Sequence, residues 1–312
     1  MSDQATPHQT VLLEETVAGV LGDAEGVYVD GTFGRGGHSR LLLSRLGETA
    51  RVIGIDKDPE AVAEGQRLAA SDKRFTMLQG SFADMRELLK SAGITDSLSG
   101  VLLDLGVSSP QLDQAERGFS FLKDGALDMR MNPEQGESAQ QWIMRAEENE
   151  IARVLKEYGE ERFAKRIARA IVAARSETPI ANTLQLAKIV AEANPAWEKG
   201  KHPATRAFQA IRIHINNELG DLERLLDDVL DLLAIGGRLA VISFHSLEDR
   251  IVKRFIRQQV RGDELPAYIP VQASELHVRM RAIGKAIQPS AAEIESNPRS
   301  RSAVLRVAQK LA

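Results

Sequence analysis

The chain has 312 residues and a mass of 34.2 kDa, a length that suggests about two domains. Its 43% apolar and 27% charged content is ordinary for a soluble globular enzyme or binding protein, and its longest unbroken apolar run, the five residues Ala170–Ala174, excludes a transmembrane helix. The net charge of -4 argues against a general polyanion binder, but it hides a split: 13 basic and 7 acidic residues from Arg238 to Ala312, against 27 and 37 in the remainder.

The first hundred residues alternate strand and helix signals. Val27–Val29 is a β-branched and aromatic run ending at Asp30, followed by Gly31, Gly34, Gly36 and Gly37 and a helical stretch over Ser39–Leu46. Arg51–Ile55 is a second strand ending at Asp56, and Asp58-Pro59-Glu60 is a helix start. Phe75–Leu78 and Val101–Leu103 are the third and fourth strands, the latter ending at Asp104. Such alternation predicts a parallel doubly wound sheet, with Asp30, Asp56 and Asp104 at the carboxyl ends of strands, where these sheets bind ligands.

From about Pro110 to Ala210 helical periods dominate. Arg162–Ala174 carries an apolar face of Phe163, Ile167, Ala170, Ile171 and Ala174, and a basic stripe of Arg162, Lys165, Arg166 and Arg169. A second helix is expected from His202-Pro203 through Leu219, with Arg206, Gln209, Arg212 and Asn216 on one face. Sheet signals then resume. A helix over Asp221–Ala234 is stopped by Gly236-Gly237, and Leu239–Ile242 is a buried strand. Leu247–Val260 is a basic amphipathic helix, and Ser302–Ala308 is expected to be a late edge strand. Residues 262 to 300 read as loop-rich. The architecture expected is one discontinuous α/β domain, residues 1–112 and 211–312, interrupted by an all-helical insert over 113–210. The N-terminus has no basic-then-apolar secretory pattern, so the expected location is the cytoplasm.

A strand, a glycine-rich turn, a helix start and an acid ending the next strand form a nucleotide site. Asp56 lies 20 residues after Gly36, the spacing at which an acid meets ribose hydroxyls. That pattern alone fits a dinucleotide or S-adenosylmethionine. A dinucleotide loop needs G-x-G-x-x-G; here Gly34-Arg35-Gly36 is followed by Gly37, and Ser39 stands at the third-glycine position. The spelling Asp30-x-Thr32-x-Gly34-x-Gly36 is closer to the acid-x-G-x-G-x-G loop of methyltransferases, with Thr32 for the first glycine.

A set of longer strings stands in one family's order. They are Asp30-Gly-Thr-Phe-Gly-Arg-Gly-Gly-His38, Asp104-Leu-Gly-Val-Ser-Ser-Pro-Gln111, Glu116-Arg-Gly-Phe-Ser-Phe121, Leu127-Asp-Met-Arg-Met131, His202-Pro-Ala-Thr-Arg-Ala-Phe-Gln209, Ser243-Phe-His-Ser-Leu-Glu-Asp-Arg250 and Asn297-Pro-Arg-Ser-Arg-Ser302. From about His8 to Ala308 the chain resembles the bacterial 16S ribosomal RNA (cytosine-N4) methyltransferases, the RsmH/MraW family. The resemblance implies a Rossmann-like class I S-adenosylmethionine methyltransferase sheet with an inserted helical domain that recognises substrate. It implies transfer of the methyl group of S-adenosylmethionine to the exocyclic amine of a cytidine in the decoding region of 16S rRNA, within the small ribosomal subunit. A homodimer is compatible with it. The family's cofactor contacts fall on Gly34, Gly36, Gly37, His38, Asp56, Phe82, Asp104 and Gln111.

The sequence contains no cysteine. Methylation of cytosine at ring carbon 5 generally needs a thiolate to add to the ring, so transfer to nitrogen or oxygen is the chemistry left open. Asp104 has two roles open to it: accepting a hydrogen bond from the target amine, or contacting cofactor alone. Phe119, Phe121, Phe244 or His245 could stack on a base. RNA contacts are expected at Arg206, His245, Arg250 and Arg254. The histidines show no spacing typical of a metal site, so no metal is expected.

Overall fold

The computed structural model describes residues 10–196, 200, 202–262 and 277–312. They fall into two compact units, one of residues up to Gly106 together with Leu219–Ala312, the other Val107–Glu218.

The first unit is built on a seven-stranded sheet: β1 (Val27–Asp30), β2 (Arg51–Asp56), β3 (Phe75–Gln79), β4 (Leu98–Asp104), β5 (Leu233–Ser243), β6 (Met280–Ala282) and β7 (Val304–Lys310). Their order is β3-β2-β1-β4-β5-β7-β6, parallel from β3 to β5, with β7 antiparallel to both β5 and β6. This is a Rossmann-like, doubly wound sheet with an antiparallel strand beyond β5. The strands read as near-continuous apolar runs because both faces are covered. Tyr28, Val52, Leu102, Ala240 and Ile242 pack on one side, and Val29, Ile53, Ile55, Val101, Leu103 and Val241 on the other. The covering helices are α1 (Leu13–Val20), α2 (Gly37–Arg45), α3 (Pro59–Ser71), α4 (Met85–Ser91), α11 (Glu218–Leu232), α12 (Ser246–Arg261) and α13 (Ala291–Ser296).

Two expectations need correction. Ser302–Ala308 was expected at the sheet edge, but β7 lies inside it, because the three-residue β6 pairs on its outer side with Met280 buried. A three-residue strand is too short to show a period. The helix expected from His202 through Leu219 breaks at Asn217, whose φ of 51° is left-handed. Of the loop-rich stretch, residues 263–276 lie outside the described residues.

The second unit is helical: α5 (Ser109–Asp113), α6 (Ala139–Arg145), α7 (Glu148–Gly159), α8 (Ala164–Glu177), α9 (Thr183–Ala193) and α10 (Thr205–Asn216). Trp142, Ile143, Ile151, Leu155, Ile167, Ile171, Leu186, Val190, Phe208 and Ile211 form its core. Trp142 is fully buried, and its indole N–H donates to Glu150 Oε1 at 3.0 Å. The loop Asp128–Met131 is pinned from two sides. The Arg117 guanidinium donates to Met131 O at 2.9 Å. The Asn216 amide donates to Met129 O at 2.8 Å and accepts from Met131 N at 2.7 Å.

Candidate active site

Adjacent strands β2, β1 and β4 end in Asp56, Asp30 and Asp104, so three carboxyl groups meet the loop between β1 and α2 at one edge of the sheet. That loop is held from beneath. Asp30 is buried; it accepts from Ser39 Oγ at 2.7 Å and from Thr32 N at 3.3 Å. Thr32 in turn accepts, on its hydroxyl, the backbone N–H of Asp104 at 2.6 Å. Asp56 accepts from Gly34 N at 2.8 Å and from Asp58 N at 2.9 Å. Asp30, Thr32 and Asp56 thus fix the loop relative to three strand ends.

Within the loop, Gly36 has φ of 75°, and a Cβ there would lie 2.6 Å from the Phe33 ring. Both facts demand glycine. Phe33 packs against Phe75, ring centroids 5.2 Å apart. Gly36 is the N-cap of α2 and supplies no side-chain cap, whereas Asp58 caps α3. The first turn of α2 therefore carries no cap from its own N-cap side chain, and a helix N-terminus of this kind suits an anion. Gly34 borders open space: a Cβ there would meet only Thr32 O, at 3.9 Å. Phe82 is half-buried and follows β3.

Asp104 is the most perturbed acid in this set. Its Oδ1 is buried without a hydrogen-bond partner, and its Oδ2 lies 3.9 Å from His38 Nδ1. Burial, and then the charges of Asp30 and Glu248, push its carboxyl up to about 8. Burial raises Asp30 to about 6 against the hydrogen bonds from Ser39 and Thr32. Burial likewise raises Asp56 to about 6, opposed by the backbone N–H groups of Asp58 and Gly34. His38 is itself buried, with Nε2 3.2 Å from Val11 O; a carbonyl only accepts, so this nitrogen carries the proton.

Gly34, Gly36, Gly37, His38, Asp56, Phe82 and Asp104 all belong to the first unit. Gln111 belongs to the second, as the third residue of α5. Its amide oxygen accepts from Ser108 N at 2.9 Å in a capping box. Sequence reasoning missed the bracing by Thr32 and Ser39. The only signal for it was a hydroxyl residue at the first-glycine position.

The basic helix α12 begins with two acids, both engaged inward. Glu248 is buried and accepts from Phe244 N at 2.8 Å; Asp249 forms a paired bridge to Arg306 at 2.7 and 3.0 Å. Val252 and Ile256 face the core, leaving Arg250, Lys253, Arg254 and Arg257 exposed. His245, expected to meet a base or a phosphate, is half-buried at the start of α12. Its side chain is 9% exposed, with Nε2 3.0 Å from Glu248 Oε1. In the second unit, Lys165, Arg166 and Arg169 are exposed on α8, and Arg162 is exposed two residues before it. Arg206 is half-buried on α10, donating to Glu160 O at 3.2 Å.

A doubly wound sheet with an antiparallel strand beyond β5, a glycine loop leading into an uncapped helix and an acid ending each neighbouring strand together define a methyltransferase of the Rossmann-like class. The model of the MraW methylase family matches residues 5–311, and the chain belongs to that family. It is 57% identical over 311 residues to the ribosomal RNA small subunit methyltransferase H of Marinomonas sp. (strain MWYL1), covering 100% of this chain and 99% of that one. Among solved structures it matches an rRNA methylase from Streptococcus thermophilus at 12% identity and a TM-score of 0.40, covering 96% and 93% of the two chains. It also matches NSun6 from Pyrococcus horikoshii with SFG at 12% identity and a TM-score of 0.42, covering 97% and 53%.

Proposed function

We propose that this methylase transfers the methyl group of S-adenosylmethionine to the exocyclic N4 amine of a cytidine of 16S rRNA, in the decoding region of an assembled or nearly assembled small ribosomal subunit. Family membership and the printed name of the Marinomonas relative support the ribosomal RNA substrate. The observation that carries the chemistry is Asp104: a buried, partnerless carboxyl oxygen at the end of β4, in a chain without cysteine.

The residues fit the cofactor. The first turn of α2 at Gly36, Gly37 and His38 suits its carboxylate, and the space over Gly34 admits it closely. Asp56 keeps lone pairs for ribose hydroxyls, and Phe82 offers an apolar surface for adenine. When bound, the cofactor supplies an electrophilic methyl group. Asp104 then has one task. As a carboxylate, it accepts a hydrogen bond from the target amine through Oδ1, turning the nitrogen lone pair toward the donor and offering a place for the proton released. Orientation of this kind lowers the barrier without covalent catalysis. Thr32 holds the Asp104 backbone, and His38 stands beside the other carboxyl oxygen. Arg250 and Arg254 hold RNA phosphates, as does Arg206 on the helical unit, which serves substrate recognition. A cytoplasmic location follows from the ribosomal substrate.

The test is the Asp104→Ala enzyme assayed on unmodified small subunits with saturating cofactor. Turnover should fall by about 100-fold or more, the size of a lost positioned acid–base group. Near-normal turnover would sink the assignment.

A further inference from the structure

Within the helical unit, three aromatic rings form a cluster. The Phe121 ring lies 4.6 Å from the His202 ring at an interplanar angle of 30°, and 4.9 Å edge-on from Phe208. Phe208 is buried in the core of the unit, Phe121 is half-buried, and His202 is exposed. The order from inside to outside is therefore Phe208, Phe121, His202, a rigid base under an exposed heteroaromatic ring. His202 Nδ1 accepts from Ala204 N at 3.2 Å, which ties the ring to the start of α10.

The loop carrying Phe121 is equally fixed. Lys123 O accepts from Thr183 Oγ1 at 3.1 Å, and Gly125 N donates to the same hydroxyl at 3.2 Å. Asp124 accepts from Leu184 N at 3.2 Å, so this acid is turned toward α9. Next to Phe121 in the chain, Leu122 is 82% exposed, the most exposed large apolar side chain among the described residues. Lys123, two residues after Phe121, is exposed, and Arg206, four residues after His202, is a half-buried cation. An exposed stacked ring, an exposed apolar side chain and cations on both segments match one chemistry: an unpaired nucleobase with its flanking phosphates.

We propose that the Phe121–His202 ledge of the helical unit is a stacking site for an unpaired base of the RNA substrate, with Lys123 and Arg206 holding adjacent phosphates. This rests on the RNA-methylating reading above. The test uses the full chain and three variants: His202→Ala, His202→Tyr and Lys123→Ala. Each is measured for KM and kcat on unmodified small subunits, for S-adenosylhomocysteine affinity, and for binding of a labelled single-stranded oligoribonucleotide without cofactor. His202→Ala should raise KM for subunits and weaken oligonucleotide binding about tenfold, with kcat and S-adenosylhomocysteine affinity unchanged. His202→Tyr, which keeps a stacking face, should restore both. Lys123→Ala should weaken binding by a few-fold and lower its salt dependence. An unchanged KM and unchanged oligonucleotide affinity in His202→Ala would overturn the ledge, as would failure of the tyrosine variant to rescue. Wild-type protein that binds the oligonucleotide through His202 but methylates no subunit would leave the ledge standing and defeat the substrate reading instead.

Discussion

Asp104→Asn is the substitution from which the account makes its most quantitative prediction. It keeps the shape of the side chain and removes its titration. In the ligand-free enzyme the carboxyl is pushed up to about 8 by burial and by the charges of Asp30 and Glu248. If the carboxylate is the working form, each pH unit below that value costs about tenfold in active enzyme, or roughly 1.4 kcal/mol. Between pH 8 and pH 6 the ionised fraction falls from about one half to about one hundredth, a loss of about 50-fold. The ratio kcat/KM for cofactor reports ionisations of the free enzyme, so it should rise with pH across this range and level off above 8. The assay is methyl transfer to unmodified small subunits from pH 6 to 9, with enzyme integrity checked at each pH. Asp104→Asn should be slow and flat over the same range. Asp30→Asn should move the wild-type limb to lower pH, because it removes one of the charges that raise Asp104. A flat wild-type profile, or a limb that survives unchanged in Asp104→Asn, would refute the reasoning.

Three further outcomes follow from the same geometry. Gly36→Ala forces a side chain onto a backbone at φ of 75° with the Phe33 ring 2.6 Å away; thermal melts should show a loss of about 1–3 kcal/mol, and titration should show weakened S-adenosylhomocysteine binding. The double charge reversal Arg250→Glu with Arg254→Glu should weaken subunit binding and reduce the slope of log affinity against log salt by about 1.5, while sparing S-adenosylhomocysteine affinity; equal loss of both affinities would indicate a folding defect. For stability, Asp30 and Asp56 are both raised, from an ordinary value of 3.8 to about 6. The folded chain then binds more protons than the unfolded chain between about pH 4 and 6, so folding stability should fall as pH rises through that window, by at most about 1.4 kcal/mol per unit for each group, and should level off above it for these two. Urea denaturation of ligand-free protein at pH 4.5 and 7 checks the sign, and greater stability at pH 7 would contradict it.

The parts of the fold with strong local signals were legible in the sequence. Strands β1, β2 and β4 are short apolar runs that end in an acid, and each of Asp30, Asp56 and Asp104 is the last residue of its strand. The amphipathic faces of α8 and α12 also followed from their period, with Ile167, Ile171, Val252 and Ile256 buried and the basic residues exposed. What escaped was set by contacts distant in sequence. Nothing local reveals that Met280–Ala282 pairs beyond β7, or that Thr32 receives the amide of a residue 72 positions away. Nor does the sequence show that Glu248, one turn later, lies 3.0 Å from the His245 ring. The Phe121–His202 stack joins residues from two separate loops, and only the folded chain brings them together.

The activity proposed for this chain is transfer of one methyl group to the exocyclic nitrogen of a cytidine in small-subunit rRNA. The most direct measurement incubates the purified protein with isotope-labelled S-adenosylmethionine and unmodified small ribosomal subunits. The 16S rRNA is then digested and its nucleosides are identified by mass spectrometry. The account predicts label in N4-methylcytidine, at a single position within the decoding region. Label in 5-methylcytidine, or no label despite tight cofactor and subunit binding, would contradict it.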